Sequence, residues 1–299
     1  MKTEFVQFKT DDGAILHGLY FRPDVETVTG IVHVHGLAGN FYENEFIGIM
    51  AEHYTRAGYS FLTFNNRGHD YIADITIDNE AGRSEIKGGG AYERFEDCRY
   101  DVQGAVSFLA RAGVRKICLQ GHSSGCNKIV YTMSLDKLAH VCAAVLLSPC
   151  DDIGIMETYL GDNFEAGLKQ ARLLASENKH DSLIDSDKAF YPMSARTYLG
   201  YYESGSAQDI FPYRTPDAAF SAFGNLMVPA YVTFGTDGEY LNDSADETIS
   251  ILQKKSRSPK MLASKIVEGS SHSYTGYGQI LATSVADWLT QLDTEAIES

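Results

Sequence analysis

The chain has 299 residues, of which 44% are apolar, and 40 acidic residues against 25 Lys and Arg residues give it a formal net charge of -15. Such a length can bury the core of one large domain or of two smaller ones. The negative charge would repel phosphate backbones and anionic lipids, so nucleic acid and membrane surfaces are not expected partners. No apolar run is long enough for a membrane-spanning helix and the first residues lack an apolar signal core, so we expect a cytoplasmic protein.

The apolar runs of the chain predict a β-sheet that is covered on both faces. Two β-prone segments flank Asp12-Gly13, a dipeptide suited to a tight turn, and together they predict an antiparallel hairpin. Later runs are apolar throughout rather than alternating, as in strands buried on both sides. These runs occupy residues 30–35, 60–65, 116–120, 142–148, 229–234 and 261–267.

Segments with helical periodicity separate these runs. Residues 92–112 show it most clearly, and residues 279–292 predict a last helix that carries the only tryptophan, Trp288. Alternating strands and helices predict an α/β protein with a mostly parallel sheet and helices on both of its faces.

One long interval, residues 150–227, interrupts the alternation. A crossover of about a dozen residues would suffice to join neighbouring parallel strands, so something extra is inserted here. The interval is rich in Tyr and Phe, which argues against a disordered linker. We therefore predict a core formed by residues 1–150 and 227–299, with residues 151–226 inserted as a small cap over the carboxyl edge of the sheet.

The sequence Gly-His-Ser-Ser-Gly at residues 121–125 predicts a nucleophilic serine, Ser123. It follows an apolar run directly and precedes a helical segment, which is the strand, turn and helix context that the G-x-S-x-G pattern requires. The two outer glycines leave room for neighbouring backbone in a strained turn. A phosphate-binding loop is excluded, because the Gly-Lys-Ser/Thr ending of that motif is missing.

Acyl transfer also needs two backbone amides that stabilise the developing oxyanion. Ser124 is expected to supply one of them. The loop that starts at His35-Gly36 follows a predicted strand, and it makes the amide of Leu37 the candidate for the second. His33 and His35 could suggest a metal pair, but no third ligand has suitable spacing, and we expect neither a metal nor an organic cofactor.

The general base is predicted to be His272. It lies in a loop of small residues just after the last predicted strand, whereas His180 lies in a polar run of the insertion and His140 at the start of a strand. Serine needs such a base, which is itself oriented by a carboxylate.

The orienting carboxylate is predicted to be Asp237, which lies in a turn directly after the run 229–234. Several other carboxylates remain possible at this point, because they also lie near strand ends: Glu239, Asp243, Asp151 and Asp152.

Four features together resemble the α/β-hydrolase superfamily: the His35-Gly36 loop, the turn at Ser123, Asp237 and His272. Residues 65–69, Asn-Asn-Arg-Gly-His, resemble the superfamily's Asp-x-Arg-Gly-His segment. The resemblance covers residues 5–292 apart from the insertion. It implies an α/β-hydrolase fold with a mostly parallel eight-stranded sheet, and a triad of Ser123, Asp237 and His272.

The chain departs from the superfamily at the acid, which commonly lies in His-Gly-x-x-Asp, whereas Gly235-Thr236-Asp237 is one residue shorter. This departure keeps Glu239 open as the acid. Residues 95–126 and the short His-Gly loop are also similar to fungal hydroxamate-siderophore esterases and to feruloyl esterases.

The function expected from these residues is hydrolysis of a small to medium carboxylic ester through an acyl-enzyme, with an aromatic or apolar group in the substrate. Two alternatives stay open: a thioesterase or acyltransferase of a biosynthetic pathway, and a non-catalytic ligand-binding receptor on a hydrolase scaffold. The partner is a small molecule in each case, and the sequence predicts no oligomeric state.

Overall fold

A computed structural model describes residues 1–237, 240–241, 243–257 and 262–298. Its strands are β1 (Lys2–Lys9), β2 (Ile15–Arg22), β3 (Thr29–Val34), β4 (Ser60–Asn65), β5 (Ala73–Asn79), β6 (Gly82–Gly88), β7 (Lys116–His122), β8 (Val141–Leu147), β9 (Ala230–Gly235) and β10 (Leu262–Val267). Its α-helices are α1 (Glu45–Arg56), α2 (Cys98–Arg111), α3 (Ser124–Leu135), α4 (Asp152–Leu160), α5 (Asp162–Ser176), α6 (Ala195–Tyr202), α7 (Ser221–Gly224), α8 (Ala245–Lys255) and α9 (Gly278–Glu298).

Eight strands form one sheet in the order β1-β2-β4-β3-β7-β8-β9-β10. The first two form the predicted antiparallel hairpin, with Gly13 at φ 94° in its turn, and β2 pairs antiparallel with β4. The pairs from β4 to β10 are parallel. The sequence prediction of a mostly parallel eight-stranded sheet is therefore confirmed.

Both faces of the sheet are covered, which explains why its central strands are apolar throughout. On β3, Val32 belongs to a core with residues of α2 and α3, whereas Ile31 belongs to a second core with residues of α1 and α9. Alternate residues of a strand point to opposite faces, so both must be apolar when helices cover both.

A separate hairpin, β5 with β6, escaped the sequence prediction. Most of its side chains are polar and exposed; Ala73 packs against the main core, and Ile75 and Ile77 are buried in it. Their spacing of two residues was the available signal, but two apolar positions are too few to predict a strand.

The long interval between β8 and β9 holds α4, α5, α6 and α7. The first three enclose a small separate core, to which Phe164, Tyr198, Tyr201 and Tyr202 contribute together with Phe95 and Cys98 from outside the insertion. The later part of the interval, from Ile210 to Phe223, packs into the main core instead. Among the described residues, no helix is both long enough and apolar enough to cross a membrane.

Candidate active site

Ser123 lies at the sharp turn between β7 and α3. Its backbone has φ 57° and ψ -136°, a conformation that side-chain-bearing residues rarely adopt. The turn is held on both sides, since the Ser123 amide donates to the Leu147 carbonyl (2.9 Å) and the Ser123 carbonyl accepts from the Cys126 amide (2.9 Å). Holding a residue in such a conformation costs about 1–3 kcal/mol and is characteristic of functional sites.

The two glycines of the motif are sterically required. A Cβ on Gly121 would lie 2.5 Å from the Cys126 nitrogen, and a Cβ on Gly125 would collide with the Val34 carbonyl oxygen. The turn can therefore form only if both positions lack a side chain.

The loop after β3 packs directly against this turn. A Cβ on Gly36 would lie 2.9 Å from Ser123 Cβ and 3.2 Å from Ser123 Oγ. Leu37, the next residue, is partly buried and packs against the core of the inserted helices. The structure thus brings the predicted oxyanion loop to the predicted nucleophile, while the role of the Leu37 and Ser124 amides stays a prediction.

His33 and His35 serve two different environments rather than one metal site. His33 Nδ1 contacts the Gln120 side chain (2.9 Å), and burial followed by the charge of His122 lowers the pKa of His33 to about 3. His35 Nε2 accepts from the Asn66 amide (3.1 Å), and burial also holds the pKa of His35 well below its usual value. In the described part of the chain, no three His, Cys, Asp or Glu side chains are placed to hold a metal ion.

His272 lies in the loop after β10, and this loop contacts the turn at Ser123. His122, the neighbour of Ser123, donates through Nε2 to the His272 carbonyl oxygen (2.8 Å), and the two imidazole rings have centroids 5.0 Å apart. The His272 ring also contacts Tyr240 in an edge-to-face arrangement, at 5.0 Å between ring centroids. The predicted base and the predicted nucleophile therefore belong to contacting loops.

Asp237 lies beside the same loop, with its amide donating to the Ser270 carbonyl (2.9 Å) and its side chain exposed. A Cβ on Gly235 would collide with the Ser270 carbonyl oxygen, so the glycine permits this close approach. Glu239, the alternative acid, lies outside the described residues.

Asp151 and Asp152 are adjacent in sequence but have different partners. Asp151 accepts from the Arg214 amide (2.7 Å), from Arg214 Nη1 (2.5 Å) and from the Gly154 amide (3.0 Å), so it caps α4 and anchors the inserted segment. Asp152 accepts from Ser124 Oγ (3.2 Å) and from Gln208 Nε2. Asp152 thus lies against the turn that contains Ser123.

The surroundings of Asp152 disfavour its charged form. Burial raises the pKa of Asp152 to about 7, which outweighs the hydrogen bond from Ser124 and the attraction of His272 and Lys128. A carboxyl whose pKa lies near neutral pH, beside the serine predicted as the nucleophile, is a feature expected of functional sites.

We expect Asp152→Asn to remove a pH-dependent loss of stability. The folded carboxyl has a pKa of about 7 against 3.8 for the free group, so between these values the folded state binds more protons, and the free energy of unfolding falls as pH rises. Asparagine is neutral at every pH. The side-chain amide of an asparagine at position 152 can donate to Gln208 Oε1, which has no hydrogen-bond partner among the described residues. Relative to wild type, the free energy of unfolding of the variant should be higher by an amount that grows from about pH 4 to pH 7 and is on the order of 1–4 kcal/mol. Urea unfolding across this range checks it, and a pH-independent difference would contradict it.

Cys150 is a neighbour of Ser123 that the sequence prediction missed. Its Sγ lies 3.3 Å from Ser123 Oγ and 3.3 Å from the Ser148 carbonyl oxygen, and its side chain is buried. Its position three residues after the end of β8, at the same edge as Ser123, was the only available signal, because carboxyl ends of parallel strands meet at one edge.

Residues 88–291 match a protein family described as "Protein of unknown function (DUF1749)". None of the curated proteins matches the chain. Among solved structures, the chain is similar to siderophore hydrolase EstB from Aspergillus fumigatus (14% identity, 97% of this chain and 98% of that chain, TM-score 0.69). It is also similar to a soluble variant of monoglyceride lipase from Saccharomyces cerevisiae (15% identity, 97% and 96%, TM-score 0.68) and to Est1E from Butyrivibrio proteoclasticus with ferulic acid bound (16% identity, 96% and 98%, TM-score 0.66).

These structures share the sheet and the helix layers described above over nearly their whole length. The resemblance inferred from the motifs is thereby confirmed at the level of the fold. The family match spans more than half of the chain, from β6 into α9. The chain is therefore a member of the DUF1749 family and has the α/β-hydrolase fold.

Proposed function

We infer that the protein is a serine-dependent carboxylic ester hydrolase that works through an acyl-enzyme. The observation that carries this inference is the strained turn at Ser123, which contacts both the Gly36 loop and the His272 loop. A hydroxyl raised between a candidate oxyanion loop and a candidate base is the arrangement that acyl transfer needs.

In this mechanism His272 removes the proton from Ser123 Oγ as the oxygen attacks the ester carbonyl. The Leu37 and Ser124 amides hold the resulting oxyanion. Collapse of the tetrahedral intermediate breaks the ester C–O bond, and the alcohol leaves with the proton from His272. Water, deprotonated by His272, then attacks the acyl-enzyme, and the carboxylic acid is released while Ser123 regains its proton.

We assign the orientation of His272 to Asp237, because its backbone is hydrogen-bonded to the loop that carries the histidine. Asp151 is less suitable, since Arg214 and the start of α4 already occupy its carboxylate. The names of the similar structures, a siderophore hydrolase, a monoglyceride lipase and Est1E with ferulic acid bound, support ester hydrolysis as the reaction class.

The helices inserted between β8 and β9 would serve as the cap over this site. They reach it at two places: Asp152, the first residue of α4, accepts from Ser124 Oγ, and Leu37 packs into their core. These contacts with Ser124 and with the loop after β3 support a role of the inserted helices in shaping the substrate pocket.

A row of aromatic side chains crosses this side of the molecule. Tyr71 contacts Tyr191 (ring centroids 5.6 Å), Tyr191 contacts Phe190 (5.3 Å), and Phe190 contacts Tyr159 (4.9 Å). Tyr71, Phe190 and Tyr159 keep 59%, 48% and 64% of their surface exposed. We call these four residues the aromatic row.

Both ends of the aromatic row are connected to the site. Asp70, next to Tyr71, donates its amide to the Gly39 carbonyl in the oxyanion loop (3.1 Å). Tyr159 lies on α4, seven residues and so about 10 Å along the helix from Asp152. Exposed aromatic rings at this position favour a substrate with an aromatic or apolar group.

The experiment that tests this function uses two phosphonate probes. A p-nitrophenyl phosphonate should add covalently to Ser123, and a probe with an aryl substituent should react faster than one with a short alkyl substituent. Tyr191→Ala should reduce this aryl preference, because it breaks the aromatic row at its centre. Intact-mass and peptide mass spectrometry report the site and the rate of labelling.

Phe5→Ala is the matched control, because Phe5 is an exposed aromatic residue on β1, at the far edge of the sheet. It should leave the aryl preference unchanged. Absence of any label on Ser123 would favour a ligand-binding receptor over an esterase, and labelling without aryl preference would contradict the role of the aromatic row alone.

A further inference from the structure

A buried ion pair involves α3, the helix that follows Ser123, and has no part in the mechanism above. Lys128 Nζ is 2.6 Å from Glu93 Oε1, and both side chains are 0% exposed. Removing two charges from water is costly, so such a pair is weak evidence for stability and calls for another explanation. Its hydrogen-bond partners supply one.

On one side, the pair leads to the oxyanion loop. Lys128 Nζ donates to Asn66 Oδ1 (3.2 Å), and Asn66 in turn forms two hydrogen bonds with His35. The Asn66 side-chain amide donates to the His35 carbonyl (3.1 Å), and the Asn66 backbone amide donates to His35 Nε2 (3.1 Å). His35 precedes Gly36, which touches Ser123, and Leu37, the candidate oxyanion donor.

The second of these hydrogen bonds requires a neutral His35, because Nε2 can accept only when it carries no proton. Burial, followed by the positive charge of Lys128, holds the pKa of His35 well below its ordinary value. The lysine thus supports the acceptor state of the ring that Asn66 binds.

On the other side, the pair leads to the inserted helices. Glu93 Oε2 accepts from the hydroxyl of Tyr201 on α6 (2.6 Å), and Tyr201 is fully buried. The same helix is anchored nearby, since Thr197 Oγ1 donates to the Ala91 carbonyl (3.0 Å). Glu93 is therefore held between α6 of the insertion and α3 of the core.

We propose that Glu93 and Lys128 are positioning residues that join α6 of the inserted segment to the oxyanion loop, through the hydrogen-bonded series Tyr201, Glu93, Lys128, Asn66 and His35. This proposal rests on the proposed esterase function, because that function is what gives the loop a role in stabilising the oxyanion. The series fixes the backbone that carries the Leu37 amide, the proposed oxyanion donor, so loosening it displaces a transition-state donor without removing a substrate contact.

Tyr201→Phe tests the proposal, because it removes one hydroxyl and leaves both charges in place. We expect kcat for a p-nitrophenyl ester to fall roughly tenfold with KM within about twofold, since the loss acts on the transition state. We also expect faster hydrogen exchange of the amides at residues 35–39, which mass spectrometry measures without any turnover.

Tyr198→Phe is the matched control. Tyr198 lies on the same helix and is equally buried, but its hydroxyl donates to the Lys188 carbonyl (2.9 Å) within the insertion. It should leave kcat and the exchange of residues 35–39 as in wild type.

Equal effects of the two variants would overturn the proposal, as would a rise in KM with unchanged kcat in Tyr201→Phe, which would make the hydroxyl a substrate contact. If the wild-type protein turns over no ester, the proposed function fails, and the exchange measurement alone then decides whether the series holds the loop.

Discussion

Replacing Ser123 by alanine should lower kcat for a p-nitrophenyl ester by at least ~10⁴-fold, because no other hydroxyl replaces the attacking oxygen and the remaining groups act only as a unit with it. Steady-state turnover of the purified variant checks this. The fold should be unchanged, since Ser123 Oγ contributes only its contact with Cys150 Sγ among the hydrogen bonds described above.

Ser123→Gly is the informative companion variant. It should be as inactive as the alanine variant but more stable by about 1 kcal/mol, because glycine adopts φ 57° and ψ -136° without the steric cost that any Cβ meets there. Thermal unfolding followed by circular dichroism compares the two. Wild-type turnover in Ser123→Ala would place the nucleophile elsewhere, and a glycine variant less stable than the alanine variant would contradict the strain at this turn.

Lys128→Met should be the most destabilising of the substitutions considered, with a loss of about 3–5 kcal/mol in the free energy of unfolding. The methionine fills most of the space of the lysine stem, but Glu93 is left as a buried carboxylate, and among the described residues the Tyr201 hydroxyl is its one remaining hydrogen-bond donor. Urea denaturation at neutral pH measures the loss.

The double variant Glu93→Gln with Lys128→Met is the control for this prediction. It removes both charges, keeps an acceptor for Tyr201, and leaves Asn66 Oδ1 its hydrogen bond from the Gly68 amide (3.0 Å). It should recover most of the stability lost in Lys128→Met. A double variant as unstable as the single one would show that packing, and not the unpaired charge, causes the loss.

The central strands were predictable because their burial on both faces leaves a continuous apolar run in the sequence. β4 begins and ends where the sequence predicted, and the other predicted runs differ from the observed strands by a few residues at their ends. β5 and β6 were not predictable, because a hairpin that lies on the surface needs few apolar residues. The helix predicted over residues 92–112 begins only at Cys98, since Glu93 and its neighbours form a turn in which the Glu93 amide donates to the Gly89 carbonyl (2.9 Å).

The positions of Ser123 and of its two glycines followed from the sequence alone, because a strained turn between a strand and a helix depends on residues that are adjacent in the chain.

The hydrogen-bond partners of Asp151 and Asp152 did not follow from the sequence. The two residues are neighbours at the start of α4, and only the packing of Arg214, far along the chain, directs the first carboxylate to the insertion and leaves the second beside Ser124. The ion pair of Glu93 with Lys128 was hidden for the same reason, since burial of a charge depends on which distant segments fold over it. Local sequence therefore determined where the proposed nucleophile lies, and only the tertiary structure decided which charged side chains surround it.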